Sequence, residues 1–262
     1  MKKQLFIYAL LCGLYPTTNA QTYKVAAASS VKELEIIISN THLDIQGHDG
    51  NEILITSKYN VETDERAVGL TTIYQTAEDN TGIGINLTQS TEKITLLKVS
   101  RRKEGSFLIR VPKKLHLVIS ENEWQGEEIN ITDMPGSIRV HANNSDISLK
   151  NVQGPVYAKT TSGDITGTFS NRTKIKQANI SSVSGTIDIS LPADLPANLD
   201  ISSISGEIYS DFDLQLKKAD HHKGLEKIGG GRKTKATING GGIKLVFSSI
   251  SDDVYVRKIA SN

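Results

Sequence analysis

Cysteine is all but missing from this chain: Cys12 is the only one, which excludes an internal disulfide framework and any thiolate metal site. Aromatic residues make up only 5%, too few for a core built on large rings. Charge of one sign is lacking as well. There are 30 Lys and Arg against 29 Asp and Glu, so there is no basic surplus of the kind that displaces counterions from nucleic acid. The longest apolar run, Leu5 to Leu14, is half of the ~20 residues a bilayer-spanning helix needs. No stretch keeps a helical stripe, and no long Pro/Gly/Ser linker divides the chain. G-x-S-x-G and G-x-x-x-x-G-K-[ST] are both missing, which removes the two commonest signatures of nucleophilic hydrolysis and phosphate cradling. Nothing calls for a cofactor.

The first twenty residues have the make-up of a secretory leader. Lys2 and Lys3 open it, Leu5 to Leu14 supply the apolar stretch, and Thr18-Asn19-Ala20 offers a small-residue cleavage site before Gln21. Cys12 follows Ala9-Leu10-Leu11, whereas a lipid-modified leader wants a small residue directly before its cysteine. Export to the periplasm, the outer surface or the medium is expected, with no transmembrane span once the leader is removed.

What the chain has in quantity is strand signal. Leu34/Ile36/Ile38, Leu43/Ile45, Ile53/Ile55, Ile94/Leu96 and Leu115/Leu117/Ile119 alternate with polar residues. Turn chemistry, as at His48-Asp49-Gly50-Asn51 and Asp133-Met134-Pro135-Gly136, sits between the runs, where Gly and Asn tolerate positive φ. In the middle a repeat emerges: Ile129, Ile138, Ile147, Val156 and Ile165 fall nine residues apart. Ile131, Val140, Leu149, Ala158 and Gly167 follow two residues behind. Each unit is a short strand with two inward side chains and about four turn residues. A strand that small cannot bury its face alone, so units must stack. The expected fold is all-β, a single-chain solenoid in which two units make one turn, with an antiparallel sandwich as the alternative.

Thr161-Ser162-Gly163-Asp164-Ile165, its echoes Val183-Ser184-Gly185-Thr186-Ile187 and Ile204-Ser205-Gly206-Glu207-Ile208, and the ending Ile238-Asn239-Gly240-Gly241-Gly242-Ile243-Lys244-Leu245 together resemble one family. It is the bacterial putative-adhesin family of β-strand-repeat proteins, an uncharacterised exported domain. Arg110-Val111-Pro112 with Leu115-His116-Leu117 resembles its entry, so 107–262 reads as the repeat domain and 21–106 as an N-terminal β region continuous with it. The resemblance implies a β-solenoid-like fold and an envelope location. Ser249-Ile250-Ser251-Asp252-Asp253 stands where the family has Gly in its last corner, and a reshaped corner is expected there.

Candidate chemistry is sparse. Asp146, Asp164, Glu207 and Asp253 each precede the first aliphatic residue of a unit, and stacking would make Asp146 and Asp164 neighbours. A carboxylate column suits Ca²⁺, but Thr186 interrupts it, and acidic residues that favour turns beside Gly and face water are the preferred explanation. His221-His222 in a basic Gly-rich insertion suggests a metal or phosphate loop, against a plain solvated loop. Arg101, Arg102 and Lys103 are weak candidates for meeting acidic polysaccharide or lipid headgroups, unless they merely tip a charged hairpin. Trp124 is a candidate for stacking on sugar, unless it closes one end of the core. The expected function is a non-catalytic adhesin or envelope-binding scaffold, with a cell-surface glycan or envelope protein as partner. The alternative is a polysaccharide-active lyase or hydrolase on the same scaffold. No catalytic, cofactor-binding or metal-ligating residue is assigned.

Overall fold

A computed structural model describes residues 21–58, 66, 70, 77–101, 103–169, 175–216 and 232–259. Among them there is no α-helix. In chain order the strands are β1 (Gln21–Ala26), β2 (Glu33–Ile38), β3 (Thr41–His48), β4 (Glu52–Ser57), β5 (Ile85–Gln89), β6 (Lys93–Lys98) and β7 (Gly105–Pro112). Next come β8 (His116–Glu121), β9 (Glu128–Thr132), β10 (Ile138–His141), β11 (Asp146–Lys150), β12 (Val156–Thr160), β13 (Ile165–Thr168) and β14 (Ala178–Ser182). The chain continues with β15 (Ile187–Leu191), β16 (Ala197–Ser203), β17 (Ile208–Ser210), β18 (Gln215–Leu216), β19 (Arg232–Ile238), β20 (Ile243–Ser249) and β21 (Val254–Lys258).

The nine-residue beat alternates between two sheets. Ile129, Ile147 and Ile165 align in parallel register on β9, β11 and β13 of a ten-stranded sheet A. Ile138 and Val156 align on β10 and β12 of an eleven-stranded sheet B. Two units therefore make one turn, a rung with one strand in each sheet, and the inner faces of both sheets share one hydrophobic cluster. The solenoid is the observed architecture; antiparallel pairing is confined to β1, β4, β5, β18 and β19 near the two ends. Most inward residues are Ile, Leu or Val with no more than a few per cent exposure, each contributing about 1.5–3 kcal/mol on full burial. Gly167 is the exception on the inner face. Phe169, fully buried, fills the space, and its ring would lie 3.1 Å from a Cβ at 167.

Rung order departs from chain order at both ends. The β2/β3 rung lies between β6/β7 and β8/β9, and the β20/β21 rung lies between β14/β15 and β16/β17. The last strands of the chain thus fill an interior layer.

The turns correct two expectations. Residues 99–104 join β6 in sheet B to β7 in sheet A, so Arg101 and Lys103 sit on a solenoid corner and not on a hairpin tip. At 133–136 it is Asp133 that takes positive φ, 57°. Gly136 is needed for a different reason: a Cβ there would lie 2.3 Å from the Leu115 carbonyl oxygen of the next rung.

Candidate binding surface

The corners that carry the chain from sheet B to sheet A share one construction. At the ends of β12, β14, β20 and β16 a buried hydroxyl bonds across to the neighbouring rung. Thr160 donates to the Ser145 carbonyl at 3.1 Å, Ser182 to Gly163 at 3.0 Å, Ser249 to Gly185 at 3.3 Å and Ser203 to Asp252 at 2.9 Å. Three residues on, an amide returns a bond to the hydroxyl, from Gly163, Gly206 and Asp252. The glycines let rungs approach: a Cβ on Gly163 would lie 2.0 Å from the Ser145 carbonyl oxygen, and one on Gly185 2.0 Å from that of Gly163. The corner at Asp252 keeps the same hydroxyl and amide bonds without glycine, so it is not reshaped as expected.

The carboxylate column has a structural occupation. Asp146 accepts the Asp164 amide at 2.8 Å, Asp164 accepts the Thr186 amide at 2.7 Å, and Asp253 accepts the Glu207 amide at 2.7 Å. Each acid tethers the next rung, and Thr186 interrupts the column as its sequence position foretold. No cluster of three or more His, Cys, Asp or Glu able to hold a metal occurs among the described residues. His221 and His222 lie outside the described residues, as do residues 1–20 and Arg102.

At the N-terminal end the corner chemistry changes. Lys98 is buried, and its ammonium donates to the carbonyls of Ser39 at 2.7 Å, Asn40 at 3.2 Å and Lys103. Burial pulls its pKa down to about 8, with the Glu104 charge opposing. One lysine thereby draws the 99–104 corner onto the β2–β3 corner. Nothing in its sequence surroundings marked it, because on β6 it continues an alternating pattern in which an inward lysine looks like a strand end.

The neighbouring loop, 122–127, is held from both sides. Asn40 N–H donates to the Gln125 carbonyl at 2.7 Å, and the Asn143 side chain donates to the carbonyls of Glu121 and Glu123. The buried Glu121 carboxylate accepts the amides of Asn143, Asn144 and Ser145 and the Ser145 hydroxyl. On this fixed loop Trp124 stands 66% exposed, which overturns the reading that it closes the core. Arg101 pairs with Glu123, the residue preceding Trp124, at 3.3 Å and lines a shallow recess with Ile37, Leu97 and Asn122. Lys103 is exposed on the same corner. Trp124, Arg101 and Lys103 are therefore brought to one end of the corner row. Arg101 is paired with Glu123, and Glu104 follows Lys103 in the same corner.

The boundaries of the repeat match a known model. Residues 128–245 match the Toastrack DUF4097 family. That segment is similar to a Toastrack domain. Its match opens at the first residue of β9 and closes inside β20, narrower than the 107–262 that the sequence motifs suggested. Among solved structures, a putative cell adhesion protein from Clostridium sporogenes aligns at 9% identity and TM-score 0.48, over 92% of this chain and 100% of that one. A putative adhesin from Bacteroides fragilis aligns at 13% identity and TM-score 0.32, over 93% and 99%. One from Parabacteroides merdae aligns at 10% and 0.28, over 92% and 96%. Comparison with curated proteins gives no match. Among the described residues no helix is long and apolar enough to cross a membrane.

Proposed function

We propose that this protein, with its Toastrack-like segment, is an exported, non-catalytic binding or scaffold protein of the cell envelope, adhesin-like in role, and that Trp124 is a contact point for a cell-surface glycan or envelope partner. The observation that carries the reading is an indole left two-thirds in water on a loop pinned at Gln125, Glu123 and Glu121. A rigid aromatic ring loses little freedom on binding and gains its whole apolar face, so such positions dominate recognition energetics. Export rests on the leader-like residues 1 to 20. The absence of a chemical step is supported by the engagement of Asp146, Asp164 and Asp253 with backbone amides, which commits them to holding rungs together.

The test is binding of the purified protein to immobilised glycans and to envelope fractions. Trp124→Ala should weaken capture at least about tenfold, a loss of the size expected for an aromatic anchor, while Trp124→Phe keeps part of it. Unchanged capture by Trp124→Ala would remove the contact point. Reproducible release of reducing ends or unsaturated sugars would overturn the non-catalytic reading in favour of the polysaccharide-active one.

A further inference from the structure

The outer face of sheet B carries cations across its middle and no carboxylate. In the β10–β12 pair Arg139 stands opposite Tyr157 and His141 opposite Lys159, all four outward and exposed. The Arg139 guanidinium lies 5.8 Å from the centre of the Tyr157 ring. The flanking strands are short-chained and neutral at the same levels: Val118 and Ser120 on β8, Asn179 and Ser181 on β14, Val246 and Ser248 on β20. Lys244 adds a further exposed cation on β20.

The acidic residues level with Arg139 on either side, Glu35 and Asp200, are each paired with a lysine, and Glu33 of β2 lies one level beyond, opposite His116. On β2, Glu35 accepts from Lys93 at 2.8 Å and Thr95 at 3.0 Å, and the Lys93 bond holds its carboxyl below the ordinary range. On β16, Asp200 faces Lys233 at 3.6 Å. Sheet A differs, since its outer side carries both signs, Asp44, Asp146 and Asp188 as well as Arg110, Lys150 and Arg257.

We propose that this face of sheet B binds an anionic polysaccharide laid across the strands. Parallel strands repeat at about 4.8 Å, so a linear polymer crossing them meets the same two levels of side chain at every step. Arg139 presents a planar fork suited to a carboxylate, and Lys159 a second positive charge. The Tyr157 ring, standing over serine and asparagine neighbours, offers a face for a sugar ring. A membrane surface would use the cations alike, so anionic vesicles are the comparison that separates it from the polymer. The inference is independent of the Trp124 corner, which lies on a turn and not on this face.

The probe is polygalacturonate, with dextran as the uncharged control, titrated into the purified protein at several salt concentrations. The Arg139→Ala/Lys159→Ala double variant should bind at least about tenfold more weakly and show a shallower salt dependence. Tyr157→Ala should lose about threefold or more at unchanged salt slope, with Tyr157→Phe close to the parent. All three side chains are exposed, so thermal midpoints should hold. Failure of polygalacturonate to bind, insensitivity to the double variant, or equal binding of anionic vesicles with no effect of Tyr157→Ala would overturn the inference. Those results would leave the Trp124 reading standing.

Discussion

The Ser203 hydroxyl donates to the Asp252 carbonyl at 2.9 Å, a bond between residues 49 positions apart in the chain. The bond joins the β16/β17 rung to one made later, because β20/β21 slides in between β14/β15 and β16/β17. Ser249 continues the line to Gly185, and Ser182 to Gly163. The hydroxyl ladder follows spatial order and ignores sequence order.

An interior rung is costly to damage. Phe247 is fully buried and aligned with Ile180 on one side and Ile201 on the other. Phe247→Ala should cost about 3–5 kcal/mol, the usual toll of a large core deletion, read by denaturant unfolding. Ile208→Ala, on the outermost rung of sheet A and only partly buried, should cost clearly less. Equal costs would mean that β20/β21 is not an interior layer.

Two glycines should respond differently to the same added methyl group. A Cβ on Gly163 meets the Ser145 carbonyl oxygen at 2.0 Å, so Gly163→Ala must push two rungs apart. Overpacking of that kind costs about 1–3 kcal/mol or more. Gly240, at φ 80°, has nothing within 4 Å of a Cβ, and Gly240→Ala should cost only the backbone penalty of about 1–2 kcal/mol. Thermal midpoints of the two variants, measured side by side, check the order.

The middle of the molecule was legible because one physical rule governs it: two inward aliphatics every nine residues suffice to place Ile129, Ile147 and Ile165 in one column. The ends were not. Leu245/Phe247 and Val254/Val256 present the same inward pair as any other rung, so the pattern cannot say between which neighbours they lie. Trp124, Arg101 and Lys103 were visible as residue types, yet their common corner depends on Lys98 and Glu121, whose roles arise from carbonyls and amides distant in sequence. The basic face of sheet B escaped notice because Arg139, Tyr157 and Lys159 are separated by polar and inward residues. Only the register unites them.

The corner acids should behave as tethers. Asp164→Asn retains an oxygen to accept the Thr186 amide and should be nearly neutral, whereas Asp164→Ala loses that acceptor and should cost about 1 kcal/mol. Added Ca²⁺ should leave the thermal midpoint of the parent unchanged. A Ca²⁺-dependent rise that Asp164→Asn abolishes would restore the ion-binding reading.

Lys98 predicts a pH dependence. Its ammonium gives up its proton near pH 8 in the folded protein, against 10.5 for an unperturbed lysine. Between those values the unfolded chain binds more protons, so the Lys98 contribution to stability rises with pH. Below about pH 8 its burial penalty is constant. In Lys98→Met this rise should vanish, visible as the difference between the two proteins' stabilities from pH 7.5 to 10. At pH 7 the variant should also be less stable by about 1–3 kcal/mol, because the carbonyls of Ser39, Asn40 and Lys103 lose their donor.

The stacked core with a late-inserted rung is tested most directly by cross-linking in a Cys12→Ser background. Ser202 and Ser248 face each other with hydroxyl oxygens 3.0 Å apart on adjacent strands, a separation compatible with disulfide geometry. Ser202→Cys/Ser248→Cys should close to a disulfide under mild oxidation without loss of stability, and Ser181→Cys/Ser202→Cys should not. Closure of the second pair in place of the first would put β16 directly against β14 and contradict the rung order on which the whole description rests.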